Sequence, residues 1–428
     1  MNQQAAAPTA AAAPSASSPF AGSLVEFRRG WKVVVAAASG VGAGITGVHM
    51  YSLSLFLVPL TLAFGWTRTE VSAAKTFVTI GLIATAPLAG IVADKVGVRK
   101  MGLVSLFLFA AGCVGMTQIT ANVWTYYAGL VMLAALGGCT TALIWTRGVA
   151  GWFVEKRGLA LAFTLSGTGV AGVIAPPVIG GLIDTYGWQA GYLGIGGLAL
   201  LAMIPVYFFF HEGSSAKAAD KAPAAAAAEE GMTLREAART RRFWQAGLAF
   251  FFIAGIVSSL TVHLVPLITD SGLTREAALG VAGVLGVAVI VGRLLTGYLV
   301  DRFHPPLIAA IFVGLPVVGM TLFLLGSGST ALIVLAVICV GFAAGSEIDL
   351  LPYLTAQYFG LKHYGKIYGW QFVMFYSGVG LGPLSFGWSY DQFGSYQMAL
   401  MTAAPVLALA AILLGLLGRA PAGWSGKH

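Results

Sequence analysis

Gly90-Ile-Val-Ala-Asp94-Lys95-Val-Gly97-Val-Arg99-Lys100 is a short charged island at the junction of two long apolar runs, 71–93 and 101–120. A degraded copy, Gly297, Asp301 and Arg302, follows 207 residues later. Other pairs keep the same separation. Val58-Pro59-Leu60 matches Val265-Pro266-Leu267, and Gly65-Trp66-Thr67-Arg68 matches Gly272-Leu273-Thr274-Arg275. Gly158 matches Gly365, Asp184 matches Asp391, and Gly187 matches Gly394. Trp152-Phe153 and Tyr358-Phe359 lie 206 apart, a one-residue gap. One separation held over several apolar segments indicates a tandem duplication.

Composition sets the class of molecule. Only 9% of the 428 residues are charged and 58% are hydrophobic, with a mean hydropathy of +0.85. So few charges cannot clothe a soluble surface. Disordered, collagenous and disulfide-stapled chains are excluded on the same grounds, which leaves a polytopic membrane protein. The net charge of +8 is read as loop charge that sets orientation, and not as a nucleic-acid footprint. Cys113, Cys139 and Cys339 lie in apolar runs without metal spacing and read as buried small hydrophobes.

A bilayer core of about 30 Å takes about 20 apolar residues per helix. Twelve such stretches are expected, at 32–63, 71–93, 101–120, 124–150, 157–184, 190–211, 244–268, 275–300, 306–326, 330–356, 366–390 and 396–418. The expected fold is therefore an all-α membrane protein of two parallel six-helix halves, 26–211 and 244–418. Residues 1–25 read as a disordered tail, 212–243 as a cytoplasmic linker, and 419–428 as a C-terminal tail. With both termini inside, nineteen of the 24 basic residues fall on the cytoplasmic side. Only Arg68 and Arg275 fall outside, so both termini are expected in the cytoplasm of a cell inner membrane. An even number of spans per half puts the symmetry axis along the membrane normal and a site between halves near the midplane.

The charged island resembles the signature loop of the major facilitator superfamily, Gly-x-x-x-Asp-(Arg/Lys)-x-Gly-x-(Arg/Lys)-(Arg/Lys), at every defined position. The resemblance implies that Gly90, Asp94, Lys95, Gly97, Arg99 and Lys100, with Asp301 and Arg302 in the copy, form a conformational latch. Trp152-Phe153-Val-Glu155-Lys156-Arg157-Gly-Leu159-Ala160 looks like the signature of the monocarboxylate porters within that superfamily. Its small residues continue as Ala162, Thr164, Ser166 and Gly167, while Glu155 departs from the family's Lys.

A charge at membrane depth must be paired or face a cavity. Lys75, Arg147, Arg293, Glu347 and Asp349 fall within the expected spans, and none has an equivalent charge in the other half. Residues needed only for the shared fold tend to recur in both halves, so these five are candidates for transport. Arg293 is expected to bind a substrate carboxylate with its guanidinium fork; the porters carry an Arg at the matching position. They often place an Asp one turn before it, where this chain has Val289, and a Lys in the first span, where this chain has His49 and Tyr51.

Glu347 and Asp349 are the expected proton carriers. Two residues apart on a helix means about 200° of rotation, so one faces the cavity while the other pairs behind it. Arg147 is expected to pair with an acid of the tenth span, the alternative being to snorkel to the cytoplasm; Lys75 is expected to snorkel to the outer surface, the alternative being to help attract an anion. His49, Tyr51, Trp145 and Tyr376 complete the expected substrate site.

The expected function is secondary active transport of an organic carboxylate, monocarboxylate or aromatic, by proton-coupled uptake. The rival is proton-driven export of amphiphilic or cationic compounds. No nucleotide-binding loop, metal set or cofactor motif is present in the sequence. The expected partners are a small organic anion, protons and the lipid bilayer, with no nucleic acid and a monomeric carrier.

Overall fold

The computed structural model describes residues 19–150, 152–153, 157–211, 231–300, 302–326, 328–360 and 362–418. In the first half, α1 (Pro19–Ala43) and α2 (Met50–Phe64) make one interrupted span, followed by α3 (Arg68–Ser72) and α4 (Ala74–Val96). Then come α5 (Val98–Met116), the interrupted pair α6 (Val123–Gly137) and α7 (Ala142–Ala150), α8 (Arg157–Tyr186) and α9 (Trp188–Phe209). A short α10 (Leu234–Ala238) precedes the second half: α11 (Arg241–Val262), α12 (Leu264–Asp270), α13 (Arg275–Val300), α14 (Pro305–Leu325), α15 (Thr330–Phe359), α16 (Tyr364–Phe393) and α17 (Gln397–Gly415). Among the described residues, ten helical spans are long and apolar enough to cross a membrane. Two further long helices, α4 and α16, occupy the second and eleventh expected stretches. The one β-bridge among the described residues joins Gly231 to Gly360.

Three readings of the sequence change. The first helix begins at Pro19, inside the stretch read as a disordered tail; proline suits a first helical turn, where its missing N–H has no intrahelical acceptor. The linker contains helix: α10, and the start of α11 at Arg241. Three spans are broken instead of continuous, the first at Gly44–His49, the fourth at Gly138–Thr141 and the seventh at His263. The first two breaks support each other, because the Thr140 hydroxyl accepts the Ile45 N–H at 3.0 Å. Cys113 and Cys339 are buried and Cys139 is partly so, all three as free thiols.

Helix α9 shows how composition becomes packing. Leu193, Leu200, Leu201 and Ile204 are exposed, while Tyr192, Ile195, Ala199 and Val206 are buried. That is the helical period, with an aliphatic side placed for lipid and the other side packed on neighbouring helices. Between α4 and α5 the chain turns at Gly97, whose φ of +90° disfavours any side chain.

The halves meet along α8 and α13, at α16 against α3 and α4, and at α2 against α11 and α12. On the first of these contacts, a Cβ at Gly286 would lie 2.3 Å from the Gly169 carbonyl oxygen and 2.4 Å from the Val173 nitrogen. Backbone cannot yield to it, so Gly286→Ala should lower the thermal unfolding midpoint in detergent by overpacking, at a cost of about 1–3 kcal/mol. Gly280→Ala on the same helix, where a Cβ meets nothing within 4 Å, should leave the midpoint level or slightly raised. Equal behaviour of the two variants would refute the close approach.

Candidate functional site

A cavity of about 140 Å³ lies between the halves. The first half contributes Thr46, Met50, Tyr51, Lys75 and Thr79, and the second contributes Ser258, Thr261, Glu347 and Tyr376 among others. Its walls are mainly apolar, so its two charges dominate it. Lys75 and Glu347 are both buried, and each is the charged group whose field the other feels. They come from opposite halves. Oε2 of Glu347 and Oγ1 of Thr46 have no hydrogen-bond partner within the protein. Thr46 reaches the cavity from the π turn Ile45–His49, where Gly47 departs from helical geometry. Such turns are often found at functional sites.

Behind this layer, Nε of Arg293 donates to Oδ2 of Asp349 at 3.0 Å. Arg293 is 7% exposed and Asp349 32%. Arg293 therefore packs behind the lining instead of forming it, and its Nη1 has no hydrogen-bond partner in the protein. The two helix-α15 carboxylates diverge as two-residue spacing requires: Glu347 faces the cavity and Asp349 holds the arginine.

The structure brings Tyr51, Tyr376 and Glu347 together with Lys75. Tyr376 packs against Phe372 with the rings tilted by 35° and their centroids 4.2 Å apart. It does not bring Trp145 to them. That indole is fully buried inside the first half, against Gly40 and Gly102, and donates to the Thr140 carbonyl at 3.2 Å. His49 is buried one layer back, near Phe109 and Tyr192, with neither ring nitrogen partnered. For Lys75 the favoured of two sequence readings, snorkelling, does not fit the structure. Proximity to the end of the second span suggested snorkelling, yet the side chain is 9% exposed and turned inward. The available signal was an unrepeated lysine in one half with an unrepeated glutamate in the other.

Away from the cavity lining, the halves are joined by a clasp that includes duplicated residues. Asp391, at the end of α16, accepts the Arg68 N–H at 2.9 Å through Oδ1 and the Thr69 N–H at 2.8 Å through Oδ2. It thereby satisfies backbone donors that a helix start leaves free. The Arg68 side chain pairs with Asp270 at 3.2 Å, donates to the Tyr396 hydroxyl at 2.7 Å and lies 3.3 Å over the Tyr390 ring. His263 continues the chain. One ring nitrogen faces the Pro383 carbonyl at 3.0 Å and so carries the proton, leaving Nδ1 to accept from Tyr396 at 2.9 Å. The counterpart contact is Arg275 Nε to Asp184 Oδ1 at 2.5 Å. Arg68 and Arg275, and Asp184 and Asp391, are the pairs related by 207 residues. The two contacts differ in kind: Arg275 gives Asp184 its side chain, whereas Arg68 gives Asp391 its backbone N–H and its side chain to Asp270.

At the opposite, linker-bearing end, α8 and α13 present exposed Phe163, Leu294 and Leu295. Of the expected latch, Arg99 donates to the Tyr207 carbonyl within the first half, and Arg302 bonds the Tyr298 hydroxyl within the second. Lys100 is exposed. Gly90, Asp94 and Lys95 fall in a stretch of α4 whose side chains, like Asp301, lie outside the described residues.

The model of the Major Facilitator Superfamily matches residues 39–383. An uncharacterized transporter of that type from Escherichia coli K12, YhjX, is 25% identical, with 78% of this chain and 82% of its own length covered. Monocarboxylate transporter 12-B of Danio rerio is 24% identical, with 90% and 86% covered. Human monocarboxylate transporter 11 is 25% identical, with 90% and 83% covered. A bacterial homolog of the human lysosomal transporter Spinster, solved inward-facing and occupied, superposes with a TM-score of 0.65 at 13% identity, over 95% of this chain and 98% of that one.

If the Arg293–Asp349 contact is structural, Arg293→Ala and Asp349→Ala should each lower stability in detergent by about 2 kcal/mol, because each strands a partner. The double variant should lose clearly less than the sum. Additive losses would show that the two groups act independently.

Proposed function

Since the chain belongs to the major facilitator superfamily, whose members are transporters and not enzymes, we propose that it carries a small organic carboxylate together with a proton by alternating access. The observation that carries this reading is the buried facing of Lys75 and Glu347 across the cavity between halves. The relatives named monocarboxylate transporters support the substrate class.

The mechanism follows from charge balance. Lys75 with Glu347, and Arg293 with Asp349, sum to zero. A carboxylate entering this low-dielectric space adds one negative charge, which costs several kcal/mol unless it is offset. Protonation of Glu347 offsets it and frees the Lys75 ammonium for the incoming anion. Tyr51 and Tyr376 supply hydroxyl donors beside it. Arg293, held by Asp349, keeps the second charge pair closed behind the lining. A cationic solute would instead meet Lys75 in the same space, which weighs against export of cations.

The clasp holds the outer end shut in this state, and the halves rock to break it. Excess basic residues at the other end support a plasma-membrane carrier with both termini cytoplasmic.

Purified protein in proteoliposomes tests the reading through counterflow of a panel of mono-, di- and aromatic carboxylates. With the substrate so identified, Lys75→Gln should reduce counterflow about tenfold or more, the loss expected for a charged hydrogen bond. Glu347→Gln should retain counterflow and lose accumulation driven by a pH gradient. Full accumulation by Glu347→Gln, unchanged counterflow by Lys75→Gln, or preference for a cation would each overturn it.

A further inference from the structure

The linker returns to the described structure beside the end of α15. Gly231 bridges to Gly360, and the Met232 N–H donates to the Phe359 carbonyl at 2.9 Å. Thr233 and Glu236 form a reciprocal capping box that starts α10. Ala237 is fully buried beneath that helix, and the Trp244 indole donates to the Ala238 carbonyl at 2.8 Å. The segment is therefore docked against the bundle.

Between α10 and the first turns of α11 and α16 lies a pocket of about 600 Å³. Arg235, His363 and Lys366 bring positive or titratable nitrogen to it, and Trp244 and Trp370 form its indole walls. A second hollow of about 380 Å³ shares Lys366 and Trp370 and continues along α16 past Gly365 and Gly369 to Val373. A Cβ at either glycine would meet nothing within 4 Å, so this is an open trough. Arg235 and Lys366 are exposed, and among the described residues no carboxylate lies within ion-pair reach of them. The neighbouring Glu236 is turned back into its capping box, where the Thr233 N–H and hydroxyl hold its carboxyl below the usual range.

The levels along α16 are ordered. The cations come first, then Trp370, then exposed Val373, with exposed Leu248 beyond Trp244 on α11. That is the order of headgroup, interface and acyl layer in a bilayer.

We propose that this pocket binds the phosphodiester headgroup of an anionic phospholipid. Arg235 and Lys366 grip the phosphate, and an acyl chain lies in the trough from Gly365 to Val373. Basic pockets between helices at a membrane surface suit this ligand, and each cation near the surface adds attraction for it. The proposal is independent of what the central cavity carries.

The test uses the full chain reconstituted in vesicles of phosphatidylcholine with increasing brominated phosphatidylglycerol, or brominated phosphatidylcholine as reference. Bromine quenches nearby indoles, and the difference between parent and Trp370→Phe isolates the signal at the pocket. The expected result is half-maximal quenching at a mole fraction of brominated phosphatidylglycerol on the order of tenfold lower than for brominated phosphatidylcholine. The Arg235→Gln/Lys366→Gln variant should lose that preference. The Arg28→Gln/Arg29→Gln variant, with the same charge change in the other half, should keep it. Equal quenching by the two lipids in the parent would overturn the proposal, as would equal loss in both double variants. Abolition of the preference by excess inorganic phosphate would also overturn it, because the site would then be one for a free anion.

Discussion

A charged side chain deep in a bilayer must be paired, be neutral or face water. Four such groups stand at the centre of this protein, and the rest of its design follows from how they are settled. Arg293 and Asp349 satisfy each other by direct contact. Lys75 and Glu347 instead line one cavity from separate halves, and Oε2 of Glu347 has no hydrogen-bond partner in the protein. The first arrangement is closed and the second leaves room for a guest. On the proposed reading, in a space whose charges already sum to zero, an anion brings a proton with it or does not enter. Coupling of that kind would need no dedicated relay, only a carboxylate that trades its charge for the substrate's.

Duplication explains the remainder of the architecture. The repeated residues lie where the fold needs the same thing twice: at turns such as Gly65 and Gly272, and in the clasp that contains Arg68, Asp391, Arg275 and Asp184. The unrepeated residues lie where the two halves must differ. Repeated residues help join the halves, and unrepeated ones furnish the centre. The clasp is partly exposed, with both partners of the Arg275–Asp184 pair about a third accessible, so it is worth little in energy per contact. That weakness suits the alternating-access cycle proposed above, in which the clasp opens on each turn.

Much of this was legible in the residues. Charge scarcity, the period of apolar stretches and the 207-residue offset lead to two six-helix halves, and the spacing of Glu347 and Asp349 foretells that they part company. Depth along a span was legible too, but depth does not tell which side of a helix faces the cavity. Trp145 is deep and lies inside its own half, whereas Lys75 is nearer an end and faces the cavity. Arg293 invited the substrate role by its place and chemistry, while its pairing with Asp349 depends on the crossing of α13 and α15. Arg68 and Asp391 were seen as members of two repeats. Their contact with each other joins opposite halves, and a linear comparison of halves cannot display it. The break at Gly44–His49 was hidden because it contains no proline and lies inside a long run that is apolar overall.

The most direct test of the central claim is the charge moved per substrate. In proteoliposomes at fixed pH gradient, uptake of the identified carboxylate should be electroneutral, with one proton consumed per anion, and indifferent to an imposed membrane potential. Uptake driven by potential alone, or flux without accompanying alkalinisation of the medium, would contradict the exchange of charge at Glu347.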